Sequence, residues 1–270
     1  METPPDLSVT LIQTALHWED REANLAHFSR LIDGLHAPGD LIVLPEMFTT
    51  GFSMKPNGLA EPVNGKALQW MKKTAQEKNA VLTGSVIVEE RGKFFNRLYW
   101  VTPQGEVLHY NKRHLFRMAG EHEQYSSETE MITPVLKGWR IRPLVCYDLR
   151  FPVWSRNRWT RSAEGLRADY DVLLYVANWP ERRRHPWRSL LVARAIENQA
   201  YVAGLNRVGE DGNGISHSGD SALIDFKGET IAAAGEGKEA IVPGIFSYGD
   251  LEEFRKVFPV GMDADEFEIK

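Results

Sequence analysis

Three polar residues of this 270-residue chain each stand where an apolar run stops. Leu41-Ile42-Val43-Leu44 ends at Pro45-Glu46, the stretch Val107 to Tyr110 is followed by Lys112, and Arg140-Ile141-Arg142-Pro143-Leu144-Val145 leads to Cys146. Short apolar runs of this kind read as buried strands, and open α/β sheets collect their ligands beyond the carboxyl ends of such strands. A carboxylate, an ammonium and a thiol converging there would suit acyl transfer. A thiol with a pKa of about 8.5 is only a few per cent ionised at neutral pH and needs a base beside it for efficient attack. A carboxylate partly withdrawn from water can be that base and then return the proton. The lysine ammonium, helped by an amide N–H beside the nucleophile, would stabilise the oxyanion on the attacked carbonyl. Taken singly, each residue also has an ordinary reading: a turn glutamate, a solvated lysine, a buried cysteine acting as a small hydrophobe.

The elements that must position these side chains alternate early. Ser8 to Thr14 reads as a buried strand, and Leu25, Phe28, Leu31, Ile32 and Leu35 mark one face of a helix that Pro38-Gly39 terminates. Ala67, Leu68, Met71 and Ala75 mark a second helix, followed by a strand from Val81 to Val88. Arg91-Gly92 and Gln104-Gly105 read as hairpin turns joining strands around Phe94 to Val101 and Val107 to Tyr110. Asp171 to Ala177 leads to Asn178, and Pro186 suits the first turn of a helix carrying Trp187, Leu190, Leu191, Arg194 and Ile196. Further strands are expected at Tyr201 to Leu205, Ser221 to Phe226, Thr230 to Ala234 and Ile241 to Phe246. Alternation followed by hairpins predicts an α/β fold with a mixed sheet or two stacked sheets. No linker composition or internal repeat divides the chain, so residues 1–270 read as one domain. The tail from Gly249 mixes acids with Phe254, Val257, Phe258, Val260 and Phe267, and must dock on its own domain or on a partner subunit.

The residues around the three candidates are more specific than the candidates themselves. Leu44-Pro45-Glu46-Met47-Phe48, Tyr110-Asn111-Lys112-Arg113-His114-Leu115-Phe116 and Val145-Cys146-Tyr147-Asp148-Leu149-Arg150-Phe151-Pro152 each resemble a signature segment of the nitrilase, or carbon–nitrogen hydrolase, superfamily, in the same order and at fitting separations. The resemblance runs from Ser8 to about Asp225 and includes Val176-Ala177-Asn178-Trp179-Pro180 and Arg194-Ala195-Ile196-Glu197-Asn198. Within the superfamily the chain looks most like the bacterial omega-amidases, which release ammonia from the terminal amide of alpha-ketoglutaramate and similar short dicarboxylic monoamides. The resemblance implies an αββα sandwich with two stacked mixed sheets between helical layers. It implies Glu46 as general base, Lys112 as oxyanion stabiliser, Cys146 as nucleophile and the Tyr147 backbone N–H as second oxyanion donor. It also implies a second glutamate after the lysine; Glu121 fits best, with Glu123 close enough to compete. Asp148 reads as structural. Relatives with the same mechanism hydrolyse N-carbamoyl amino acids or nitriles, and a non-catalytic α/β binding module is the reading from a different class.

Arg150, four residues after the nucleophile, either braces the turn by pairing with Asp148 or Glu197 or grips a substrate carboxylate with its rigid fork. Phe116 and Trp179 are pocket walls or core aromatics. Arg156, Arg158 and Arg161 read as a solvated or interfacial face, and Arg182-Arg183-Arg184 as a solvated loop or partner contact. Glu121-His122-Glu123 lacks the two-histidine helical spacing of a zinc site, and Gly209, Gly212 and Gly214 do not form a dinucleotide pattern. No metal or cofactor is called for.

Composition narrows the class further. Hydrophobic residues make up 43% and charged residues 26%, as in ordinary globular chains, and the formal net charge of −5 supplies no attraction to nucleic acid or anionic membrane. A single cysteine excludes an intrachain disulfide, and the first residues lack the basic-then-apolar order of a signal peptide. The expectation is a cytoplasmic enzyme acting on a small amide, without nucleic-acid or membrane partners, paired as a homodimer.

Overall fold

The computed structural model describes residues 3–162 and 165–269. Strands are numbered along the chain. The first sheet contains β1 (Leu7–Gln13), β2 (Leu41–Val43), β3 (Glu61–Pro62), β4 (Val81–Glu90), β5 (Lys93–Val101), β6 (Val107–Asn111) and β17 (Ala240–Phe246). The second contains β7 (Val135–Leu136), β8 (Trp139–Val145), β11 (Val172–Ala177), β12 (Tyr201–Asn206), β15 (Ala222–Ile224) and β16 (Thr230–Ala233). Two small ribbons, β9 (Trp159–Ser162) with β10 (Gly165–Ala168) and β13 (Val208–Glu210) with β14 (Ser216–Ser218), stand outside them. The longer helices are α1 (Arg21–Asp33), α2 (Lys66–Lys78), α5 (Arg184–Asn198) and α6 (Tyr248–Val257), and α3 (Glu121–Gln124) and α4 (Pro152–Ser155) are single turns.

Both sheets are mixed, for a local reason. In the first, β1, β2 and β4 run parallel because α1 and α2 carry the chain back between them, whereas the Arg91-Gly92 turn sends β5 back antiparallel along β4. Arg91 and Gly92 both have positive φ, +53° and +73°, which matches the right-handed twist of a tight hairpin. In the second, β8, β11 and β12 are parallel and β15 and β16 turn back.

Period-two patterning assigns each strand face. Leu7, Val9 and Leu11 of β1, with Leu41 and Val43 of β2, pack against Trp139, Ile141 and Val172 of the second sheet. The alternate residues Ile12, Ile42 and Leu82 face Leu25, Phe28 and Ile32 of α1 and Leu68 and Met71 of α2. Leu191 and Ala195 of α5 close over β12, where Gly204 is required because a Cβ would lie 2.5 Å from Leu191 Cδ1. The result is helices, sheet, sheet, helices: the αββα sandwich expected from the sequence.

The tail folds onto its own chain. Leu251 is buried, Phe254 packs on Phe226 with ring centroids 4.8 Å apart, and Arg255 reaches the buried Asp171 at 2.7 Å. Val257 and Phe258 stay 74% and 58% exposed. Arg158 is exposed and pairs with Asp169, whereas Arg156 is half-buried and donates to the Glu197 carbonyl. The side chain of Arg161 lies outside the described residues.

Candidate active site

The strand ends bring Glu46, Lys112 and Cys146 together between the two sheets. After β2 the chain leaves the sheet at Pro45, and Met47 takes φ +44°, held by its N–H donating to Ser85 Oγ at 2.8 Å. That bend turns the Glu46 carboxylate into the interior, where the residue is wholly buried. Burying a carboxylate requires matched donors. Glu46 Oε1 accepts from Lys112 Nζ and from Asn96 Nδ2, each at 2.8 Å, and Oε2 accepts from the Asn178 backbone N–H at 2.8 Å.

Lys112 follows β6 and is buried as well. Its ammonium donates to Glu46 and to both oxygens of Glu121, at 3.1 and 3.0 Å, and sits 5.0 Å from the Phe52 ring centroid. Burial alone would lower its pKa, but the two facing carboxylates, Glu121 ahead of Glu46, more than reverse this and keep it charged. Burial raises the Glu121 pKa, against the pull of the lysine. The turn at Arg117–Ala119 and the single helical turn α3 present Glu121 inward, while the Glu123 side chain is 68% exposed and points to solvent. Of the two glutamates, it is Glu121 that contacts the lysine.

Cys146 sits where β8 meets a 3₁₀ turn, Cys146–Arg150, and takes φ +45°. A non-glycine residue in this region costs about 1–3 kcal/mol, so the surroundings must enforce it. Asp148 does so: its buried carboxylate accepts from the Val145 N–H at 3.0 Å, Tyr110 Oη at 2.8 Å and the His114 N–H at 3.1 Å. The strained turn places the thiol on the cavity wall, close enough to Glu46 for its charge to act on it. Burial first, then the negative charge of Glu46, pushes the Cys146 pKa well above its usual value, with Lys112 opposing. The resting group is a neutral thiol.

A cavity of about 360 Å³ opens onto the sulfur. Phe116, Tyr147, Arg150 and Trp179 all line it. Trp179 is both wall and core, being 4% exposed with its ring 5.5 Å from that of Trp187. Phe116 and Tyr147 meet edge to face at 5.0 Å. Among the described residues, Arg150 pairs with neither Asp148 nor Glu197. Asp148 is engaged by Tyr110 and His114, Glu197 pairs with Arg194 at 3.0 Å, and the Arg150 guanidinium lies over the Trp179 ring at 5.0 Å.

The reading of Arg182-Arg183-Arg184 as a solvated run needs correction. Only Arg182 is exposed, and both it and Arg183 line the cavity. The Arg183 guanidinium lies 5.1 Å from the Phe116 centroid, and its pKa is lowered by burial and then by Arg182. Arg184 pairs with Asp220 and Glu236. Three other contributors escaped the sequence reading. Asn96, inside β5, donates to Glu46 at 2.8 Å and Glu121 at 3.3 Å while accepting from Ser85. Asn178 holds Glu46 from both its backbone and its side chain, and His217, kept neutral by burial with a pKa of about 4, lies on the cavity wall. An asparagine and an arginine interrupting the apolar stretch from Phe94 to Val101 were the available signal for Asn96.

Comparison with known proteins accords with this geometry. The carbon–nitrogen hydrolase family model matches residues 8–256. The chain is 48% identical over 265 residues to the omega-amidase YafV of Escherichia coli, covering 98% of this chain and 99% of that protein. It is 32% identical over 256 residues to a 2-oxoglutaramate amidase of Bacillus subtilis, with 94% and 95% covered. The crystal structure of a CN-hydrolase superfamily protein from Xanthomonas campestris, with an arsenic adduct in its active site, superposes with a TM-score of 0.94 at 42% identity, covering 98% of this chain and all of that one. By a family match over most of its length and by relatives this similar, the chain belongs to the carbon–nitrogen hydrolase family and is an amide-cleaving hydrolase.

Proposed function

We propose that this enzyme is an omega-amidase that releases ammonia from the terminal amide of short dicarboxylic monoamides, alpha-ketoglutaramate among them, through a thioester on Cys146. The observation that carries the substrate class is the pair Arg150 and Arg183. Both line the cavity that holds the nucleophile, and neither has a carboxylate partner among the described residues. Two guanidinium groups over aromatic rings suit a carboxylate at the far end of the substrate. The omega-amidase and 2-oxoglutaramate amidase relatives support the same reading.

The steps follow from the contacts. Because the thiol is neutral at rest, its proton passes to Glu46 as sulfur attacks the amide carbon. The carbonyl oxygen gains charge and is stabilised by Lys112 Nζ and the Tyr147 N–H. Glu46 then protonates the departing nitrogen, ammonia leaves, and a thioester remains. Water, deprotonated by Glu46, attacks the thioester, and the thiol recovers its proton as the acid departs. Glu121 and Asn96 hold Lys112 and Glu46 in register through these charge changes.

Ammonia release from alpha-ketoglutaramate and from propionamide, by the wild type and Arg150→Lys, tests the assignment. The variant should lose about ten- to a hundredfold on the dicarboxylic monoamide, the value of a charged hydrogen bond of about 1.5–3 kcal/mol, and much less on the neutral amide. Equal losses on both would place the carboxylate elsewhere. If the wild type turned over only N-carbamoyl amino acids or nitriles, the substrate class itself would fall.

A homodimer in the cytoplasm completes the proposal. Val257 and Phe258, left exposed at the C-terminal end of the docked α6, supply apolar surface for an isologous contact. Sedimentation at micromolar concentration should give twice the 30.7 kDa chain mass; a monomer would refute the pairing.

A further inference from the structure

The wall of the cavity contains an acceptor that the protein itself leaves unused. Asn178 is 5% exposed, and its Oδ1 is buried without a hydrogen-bond partner. Buried amide oxygens are nearly always satisfied, so an orphan in a native site calls for a ligand. Its orientation is fixed. Nδ2 donates to the Glu46 carbonyl at 2.6 Å and the backbone N–H donates to Glu46 Oε2 at 2.8 Å, so exchanging the two side-chain atoms would set two oxygens against each other.

Its position is fixed as well. Asn178 and Cys146 lie just past the ends of the neighbouring parallel strands β11 and β8, whose register pairs Val176 with Val145. Asn178 donates to the Glu46 carboxylate, and both residues line the same cavity. A substrate carbon within reach of the sulfur therefore carries its substituents past Asn178. Of those substituents, the carbonyl oxygen belongs with Lys112, a cation that donates and cannot accept. What remains for a bare acceptor is an N–H.

We infer that Asn178 Oδ1 accepts a hydrogen bond from the nitrogen of the scissile carboxamide, making Asn178 the residue that selects a primary amide over an ester or a nitrile, neither of which has a hydrogen to offer. This deepens the amidase assignment and rests on it. A site built to bind a substrate N–H rejects analogues lacking one because its buried group is then left unpaired. The same contact holds the nitrogen on the Glu46 side, where it must later be protonated.

The test compares succinamate with monomethyl succinate, which share the far carboxylate and acyl chain and differ at the reacting group. Wild type should favour the amide. Asn178→Ala should lower kcat/KM for the amide about ten- to a hundredfold more than for the ester. Asn178→Asp, which retains an acceptor oxygen at that position, should keep more of the amide preference than Ala, whatever it loses in rate. Equal losses on both substrates would show that Asn178 acts only by holding Glu46, and would overturn the inference. Should a variant fail to fold, the Cys146→Ala protein offers a second readout. Its affinity for succinamate should exceed that for the ester in calorimetry, and equal affinities would likewise overturn the inference. A wild type that releases neither ammonia nor methanol would instead strike the amidase reading, while the calorimetric comparison would still decide the role of Asn178.

Discussion

Cys146→Ala should lower ammonia release by at least about four orders of magnitude while moving the melting temperature by less than about 4 °C. Both halves come from the turn at the end of β8. Covalent catalysis is lost outright, because no other described cavity residue offers a thiol, and Glu46 is left with no proton to take. The fold should survive because alanine has the same Cβ as cysteine and meets the same cost at φ +45°. Glu46 also keeps its bonds to Lys112, Asn96 and Asn178. Intact-mass spectra should show an acyl adduct on the wild type and none on the variant. Turnover above about 1% would place the nucleophile elsewhere.

Lys112→Met should fail in both activity and stability. Removing an oxyanion donor costs about a hundred- to a thousandfold in rate. Here the side chain also separates two buried carboxylates, so its loss leaves uncompensated charge, a defect worth about 3–5 kcal/mol. The defect should depend on pH in a definite sense. Glu121 already has a raised pKa in the folded protein, and without the lysine it rises further. A carboxyl group whose folded pKa is raised contributes stability below its unfolded pKa of about 4.3 and loses it as pH rises through the folded value. The stability gap between variant and wild type, from denaturant titrations, should thus be smaller at pH 5 than at pH 8. A gap independent of pH would mean that lost packing, not charge, is responsible.

The sandwich and the three strand-end residues were legible because burial writes itself into sequence. Leu41 to Leu44 is a continuous apolar run and Ile141 to Val145 is apolar but for Arg142, so a charged or reactive residue at their ends is conspicuous. What stayed hidden depends on contacts between distant segments. Asn96 looks like one polar residue in a hairpin strand, and only the meeting of β5 with the segments after β2 and β6 gives it two carboxylates to serve. Arg183 sits in a run that composition marks as solvated; the aromatic ring that withdraws it from water is Phe116, 67 residues earlier. Glu121 and Glu123 differ by two positions and similar neighbours, and a single helical turn decides which one faces inward.

The two layers of the sandwich divide the chemistry between them. Glu46, Asn96 and Lys112 come from the first sheet, whereas Cys146 and Asn178 come from the second. Neither layer alone holds both the proposed nucleophile and the proposed base. While the chain is being synthesised, Glu46 emerges 100 residues and Lys112 34 residues ahead of the thiol, and Asn178 follows it by 32. Until the layers meet, Cys146 is an ordinary cysteine with no carboxylate to take its proton. Under the proposed mechanism the unfinished polypeptide cannot turn over an amide, and catalysis is conferred by the same closure that removes the apolar faces from water.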